Sequence, residues 1–252
     1  MEYLDQMGRR IWLEQVPQRI ISLVPSQTEF LCDLGLEEQL VGITKFCVHP
    51  KWIKKGKVII GGTKNFNFDR IDALKPDLII GNKEENYKEG IIRLSEKHPV
   101  WMSDINDLGA AFEMMRQLGK ITDRQQHAEQ IVSDIQLGLQ DGFDHRGTAI
   151  YLIWQDPLIA VGKETFIDDL LRRAGYVNLI SNDRYPEITA GEIASLKPDF
   201  LLLSSEPYPF SEKHRQAFQQ TFSDLDVKLV DGEMFSWYGS RLLHTAHYFR
   251  NL

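Results

Sequence analysis

The sequence predicts an α/β chain made of two Rossmann-like lobes with parallel sheets, joined by one long backbone helix. Three observations predict it. Short apolar runs alternate with helix-like segments along the whole chain, the pattern of parallel sheets covered on both faces. A ten-residue pattern occurs twice. One long helical stretch separates the two copies.

The first apolar run is Ile20-Ile21-Ser22-Leu23-Val24. Ser26 and Glu29 have the spacing of a capping box opening a helix, and Gly35 stands where a C′ glycine would close it. Further strands are expected at Val41–Thr44, Val58–Ile60, Leu78–Ile80 and Val100–Met102. Ala128, Ile131, Val132, Ile135 and Leu139 then keep a three-to-four-residue spacing. Asp123 to Gln140 contains no proline, so a helix of about 18 residues, ~27 Å long, is expected there, with Asp141-Gly142 as its stop. The α/β pattern restarts at Ala149–Ile153 and continues at Phe200–Leu203 and Lys228–Val230. Gly239 to Leu252 reads as a closing helix, with Leu242, Leu243, Ala246 and Phe249 on one face.

The repeat links the halves. Ile71-Asp72-Ala73-Leu74-Lys75-Pro76-Asp77-Leu78-Ile79-Ile80 returns 122 residues later as Ile193-Ala194-Ser195-Leu196-Lys197-Pro198-Asp199-Phe200-Leu201-Leu202. In each copy a short helix ends before the proline and a buried strand follows. The expected organisation is an α/β lobe over 1–105, a linking helical segment over 106–141 and a second α/β lobe over 142–252.

Composition narrows the function classes. The chain has 252 residues and a net charge of -7, with both signs spread along it. It lacks the basic footprint that nucleic-acid binding needs. No run of eighteen apolar residues is present, so no membrane span is expected. Met1-Glu2-Tyr3-Leu4-Asp5-Gln6 has no secretory-leader pattern. The expectation is a cytoplasmic chain, or a periplasmic or membrane-anchored one if a leader was removed. Cys32 reads as a small core residue, and two cysteines make no disulfide framework.

Several of these segments resemble the helical-backbone (class III) periplasmic binding proteins, the cobalamin, ferric-siderophore and haem receptors of ABC importers. The resemblance begins with Asp5-Gln6-Met7-Gly8-Arg9 and Pro17-Gln18-Arg19-Ile20-Ile21-Ser22-Leu23-Val24-Pro25-Ser26. It continues through Leu74-Lys75-Pro76-Asp77-Leu78-Ile79-Ile80. It resumes at Gly162-Lys163-Glu164-Thr165-Phe166-Ile167-Asp168-Asp169-Leu170-Leu171, with Ala174-Gly175 and Asn178. It is nearest to the cobalamin-binding branch. The resemblance implies a ligand cleft between two lobes, a bound corrinoid, haem or ferric chelate with no intrinsic cofactor, and a monomer that can dock on an ABC-importer permease.

Ligands of open α/β sheets bind beyond the carboxyl ends of the strands. The loops at those ends hold Ser26 and Gln27, then Phe46 and His49, then Thr63. In the second half they hold Trp154, Tyr208, Trp237, Tyr238 and Arg241, with Tyr185 as a further aromatic candidate. Large rigid aromatics suit a flat macrocycle. His49 could supply an axial ligand to a bound chelate. Cys47 and His49 have the spacing of a metal pair, but no second pair accompanies them and no protein-held metal is expected. Arg241 admits two roles, a partner for a ligand carboxylate or phosphate, or an ordinary salt bridge.

In the family one acidic residue on each lobe meets permease arginines. Those positions fall on Asp69 and on Gly191, with Glu192 next to the latter. Glu192 also fits a capping box with Thr189. The altered acids fit a relative that binds the same kind of ligand without docking. An enzyme would need a nucleophile and a base in the cleft. Only Ser26 or Cys47 with His49 can be assembled, Ser26 is already read as a cap, and no Walker loop is present. A binding protein for a metal chelate, not an enzyme, is the reading. An enzyme acting on such a ligand and an interaction module with an empty cleft are the alternatives.

Overall fold

A computed structural model describes residues 1–140 and 142–252 and divides the chain into two compact units. The first comprises 1–105, 109–135 and 238–243, and the second 106–108, 136–237 and 244–252.

The first unit opens with a hairpin, β1 (Glu2–Leu4) and β2 (Arg10–Trp12). Buried Asp5 ties its turn, accepting from the Met7 and Arg9 amides and from Arg9 Nε at 2.8 Å. The main sheet follows: β3 (Ile20–Ser22), α1 (Pro25–Asp33), β4 (Leu40–Ile43), β5 (Val58–Ile59), a small hairpin of β6 (Gly61–Gly62) and β7 (Asn65–Phe66), α2 (Phe68–Leu74), β8 (Leu78–Asn82), α3 (Lys88–Ser95) and β9 (Val100–Ser103). The five strands are parallel in the order β5-β4-β3-β8-β9.

Residues 106–141, expected as a linking segment, hold two helices, α4 (Leu108–Ile121) and α5 (Gln125–Leu139), and 109–135 belong to the first unit. The expected apolar stripe of α5 is buried from Ala128 to Leu139. The helix has 15 residues because Asp123 takes φ +57°, a left-handed turn that separates it from α4. Gly119 lies against Ala128, where an added Cβ would come within 2.5 Å, so the two helices meet at a contact only glycine allows. The helix stop expected at Asp141 lies outside the described residues.

The second unit continues with β10 (Gly147–Trp154), β11 (Ile159–Ala160), α6 (Phe166–Arg173), β12 (Tyr176–Asn178), α7 (Ala190–Leu196), β13 (Phe200–Ser204), α8 (Glu212–Thr221), β14 (Asp226–Val230), α9 (Glu233–Ser236) and α10 (Leu242–Arg250). β12, β10, β13 and β14 are parallel neighbours in that order, and β11 adds antiparallel to the end of β10. The order β12-β10-β13-β14 repeats β4-β3-β8-β9 of the first unit. The internal sequence repeat is therefore a repeat of topology.

The Leu-Lys-Pro-Asp tetrapeptide does the same work twice. α2 and α7 both end on a lysine in the left-handed region, Lys75 at φ 47° and Lys197 at φ 48°. The following proline disfavours the right-handed helical region for that residue. The aspartate then holds the start of the neighbouring first strand. Asp77 accepts from the Gln18 and Arg19 amides at 2.7 and 2.9 Å, and Asp199 accepts from the Thr148 amide and hydroxyl at 2.7 Å each.

The second-half signature is also scaffold. Thr165 caps α6 by accepting from the Asp168 amide, and buried Asp168 accepts from Asn178 Nδ2 at 2.9 Å. A Cβ on Gly162 would sit 2.0 Å from the Asn182 carbonyl oxygen.

One expected cap is not formed. α1 begins at Pro25 with Val24 as its N-cap and no side-chain cap, so Ser26 lies inside the helix. Proline is already set for the first helical position and brings no amide to satisfy. Gly35 does close the helix, at φ +72°, with the Gly35 and Leu36 amides on the Cys32 and Leu31 carbonyls.

Candidate functional site

In the first unit, β8 and β9 are apolar until their last residues, Asn82 and Ser103, which are paired in register. Asn82 Nδ2 donates to Ser103 Oγ at 3.0 Å, and Gln27 Nε2 from α1 donates to the same oxygen at 2.6 Å. Asn82 Oδ1 accepts from the Glu84 and Glu85 amides, and Asn86 Nδ2 donates to the Thr63 carbonyl at 3.0 Å. This buried polar network sets the loops at the carboxyl end of the sheet. Among the described residues it leaves Gln27 Oε1 buried without a partner. Sequence reasoning named Gln27 and Thr63 but missed Asn82, Asn86 and Ser103. For Asn82 and Ser103 the signal was a polar residue ending an otherwise apolar strand.

Cys47 belongs to the same interior. It is fully buried, with its sulfur 3.1 Å from Thr28 Oγ1 and 3.4 Å from Thr44 Oγ1. Burial pushes its thiol pKa up, with the Thr28 hydrogen bond opposing. No group of three metal-binding side chains occurs among the described residues.

Phe46 is the displayed aromatic of this end, 50% exposed, with Lys45 Nζ 4.9 Å from its ring centroid. Arg241 forms a salt bridge. It binds Glu29 of α1 through two N–H···O contacts, Nε to Oε2 at 3.0 Å and Nη2 to Oε1 at 2.5 Å, with both side chains nearly buried. Burial raises the Glu29 pKa, and the Arg241 guanidinium opposes that rise. Gly239 packs against the first turn of α1, where an added Cβ would lie 3.1 Å from the Ser26 carbonyl oxygen. Tyr238 beside it is buried.

In the second unit, Trp154 ends β10 and remains 39% exposed. Tyr208, on the loop after β13, meets it edge-on with ring centroids 5.7 Å apart. Behind Tyr208 stand Phe210 and His214, and His214 Nε2 is 3.3 Å from the Tyr208 hydroxyl. Trp237 is packed in, 7% exposed, and its indole N–H donates to Glu206 Oε1 at 2.9 Å. Ser236 Oγ donates to the same oxygen at 2.6 Å. Burial raises the Glu206 pKa, with the Ser236 hydrogen bond opposing. Tyr185 is half-buried, its ring centroid 5.6 Å from the Arg184 guanidinium carbon.

Asp69 is exposed in the first turn of α2. Glu192 is exposed in the first turn of α7 and accepts from both the Thr189 amide and hydroxyl at 2.7 Å, a complete capping box. α2 and α7 are offset by 122 residues end to end, so Asp69 corresponds to Gly191.

This doubled parallel-sheet scaffold, with aromatics displayed at the carboxyl ends of its strands, is that of a solute-binding protein. The chain belongs to the periplasmic binding protein family, whose pattern it matches over residues 20–224. It is 26% identical over 244 residues to a vitamin B12-binding protein of Pectobacterium atrosepticum, a match covering 92% of this chain and 86% of that one. Its fold is also that of a possible iron-binding (periplasmic solute-binding) protein from Staphylococcus epidermidis. The TM-score there is 0.79 at 23% identity, covering 94% of this chain and 98% of the other. The periplasmic vitamin B12-binding protein BtuF of Vibrio cholerae gives a TM-score of 0.78 at 18% identity, with the same coverage.

Proposed function

We propose that the protein binds a metal chelate as the solute-binding component of an ABC importer, and that the chelate is a corrinoid. The observation that carries this reading is the likeness to the vitamin B12-binding protein along 92% of the chain. The displayed faces of Phe46 and Trp154 support it, since large aromatic planes at the carboxyl ends of the strands suit a macrocycle. Ser26, Gln27, His49, Thr63 and Tyr208 supply polar groups at the same ends. Trp237, Tyr238 and Arg241 act by holding those loops. The ligand leaves as it entered, because the role is capture.

Asp69 and Glu192 are the acids for permease docking in this reading. Glu192 can serve both roles, because an exposed capping carboxylate keeps its charge. The named relatives and neighbours favour a periplasmic place of action over the cytoplasmic one expected from the N-terminal residues.

Tryptophan emission during titration with cobalamin, haem and ferric catecholate or hydroxamate chelates tests the reading. Saturable quenching by cobalamin at low micromolar concentration is expected. Saturation by haem or a ferric chelate alone would replace the corrinoid with that ligand, and quenching by none would refute the chelate-binding role.

A further inference from the structure

Residues 45–57, between β4 and β5, are chemically unlike the rest of the molecule. They contain Lys45, Lys51, Lys54, Lys55 and Lys57, no acidic residue and no arginine, in a chain of net charge -7. Three large apolar side chains in the same segment face solvent: Phe46 at 50%, Val48 at 41% and Trp52 at 48% exposure. Two fully buried side chains, Cys47 and Ile53, pin the segment to the core. The Ile53 and Lys55 amides, bonded to the Pro50 and Trp52 carbonyls, keep the turn between them closed. The exposed groups are thus held out by the fold.

The positive charges are not consumed inside the protein. Lys57 donates to the Glu37 carbonyl. Lys45 lies over the Phe46 ring. Lys51, Lys54 and Lys55 are exposed and have no carboxylate within ion-pair distance among the described residues. Only Lys45 and Phe46 adjoin the carboxyl end of β4. Lys54 to Lys57 lead into the start of β5, at the opposite end of the sheet from the proposed ligand. The ligand therefore does not account for them.

We propose that this segment is a contact for an anionic lipid surface. The composition selects a membrane over a protein partner. Protein interfaces are enriched in arginine and depleted in lysine, whereas this segment has only lysine. Diffuse attraction to lipid headgroups asks for charge near the surface and not for fork geometry. An exposed tryptophan with apolar neighbours is the side chain that settles at the headgroup boundary. Each lysine near such a surface strengthens partitioning by roughly five-fold.

The test is co-sedimentation of the full chain with vesicles of equal parts phosphatidylglycerol and phosphatidylcholine, and with phosphatidylcholine alone. Binding to the anionic vesicles only is expected, lost at high salt, where the Debye length shrinks to ~3 Å at 1 M. The triple substitution Lys51→Gln, Lys54→Gln, Lys55→Gln should weaken partitioning at least about tenfold. These exposed changes spare the core, and an unchanged melting curve verifies the fold. A vesicle-induced blue shift in tryptophan emission should vanish in Trp52→Phe. Equal binding to both vesicle types, unchanged partitioning of the triple variant, or no partitioning at all would overturn the proposal. So would retention on an acidic protein or polyanion without vesicle binding.

Discussion

Replacing Arg241 by methionine should destabilise the first unit in a pH-dependent way. The Glu29 and Arg241 side chains are only 13% and 11% exposed, so the methionine would leave Glu29 as an unpaired charge in a poorly solvated place. Breaking one side of a buried pair costs about 3–5 kcal/mol, and the remaining solvent contact puts this case near ~3 kcal/mol. In a chain of this size that corresponds to a fall in Tm of about 6–12 °C. The sign of the pH dependence follows from Glu29. Burial already holds its pKa above the ordinary 4.5, with Arg241 as the main opposing influence. Without the guanidinium the folded-state value rises further. A raised folded pKa gives stability that is present below the unfolded value and lost as pH rises through the folded one. The penalty of Arg241→Met is therefore larger at pH 7 than at pH 4.5, where protonation of Glu29 relieves it. Urea unfolding of both proteins at the two pH values, followed by tryptophan emission, measures it. The double variant Glu29→Gln, Arg241→Met should recover more than half of the loss. An equal penalty at both pH values would refute the reasoning.

Three further outcomes are expected. Lys75→Gly and Lys197→Gly should each stabilise the chain by about 0.5–1 kcal/mol in urea unfolding, because both lysines hold a left-handed conformation that costs a side-chain-bearing residue ~1–2 kcal/mol. Neither cysteine of the folded protein should react with a disulfide-exchange reagent at pH 7. Burial raises the pKa of Cys47 and pushes that of Cys32 up to about 12, so both should react only after denaturation. Trp154→Ala should weaken corrinoid binding about tenfold, as loss of an aromatic anchor does, and lower stability by about 1–2 kcal/mol, since most of the ring is covered and it meets Tyr208 edge-on. Isothermal titration and thermal melting would separate the two effects.

Most of the architecture was legible in the chain. Apolar runs separated by helical spacing marked the main strands of both sheets, because parallel strands bury both faces and must be apolar throughout. The 122-residue repeat was legible because Lys-Pro-Asp imposes a backbone path, namely a left-handed stop, a proline and a carboxylate brace, wherever it occurs. The Thr189–Glu192 box was legible because both partners lie within one helical turn. Strand β12 and the two small hairpins were not, since their residues form no continuous apolar run.

What only the tertiary structure decided was the use of each polar and aromatic side chain. Ser26 and Glu29 have a capping-box spacing, yet Pro25 starts the helix and Glu29 is taken by Arg241, 212 residues away. Trp154 and Trp237 are equally good candidates in the sequence. One is displayed and the other is held inward by Glu206. Local spacing determines local hydrogen bonds and the apolar face of each element. Which distant group satisfies a charge, an indole or an amide depends on where the completed sheets carry the loops, and no short stretch of sequence encodes that.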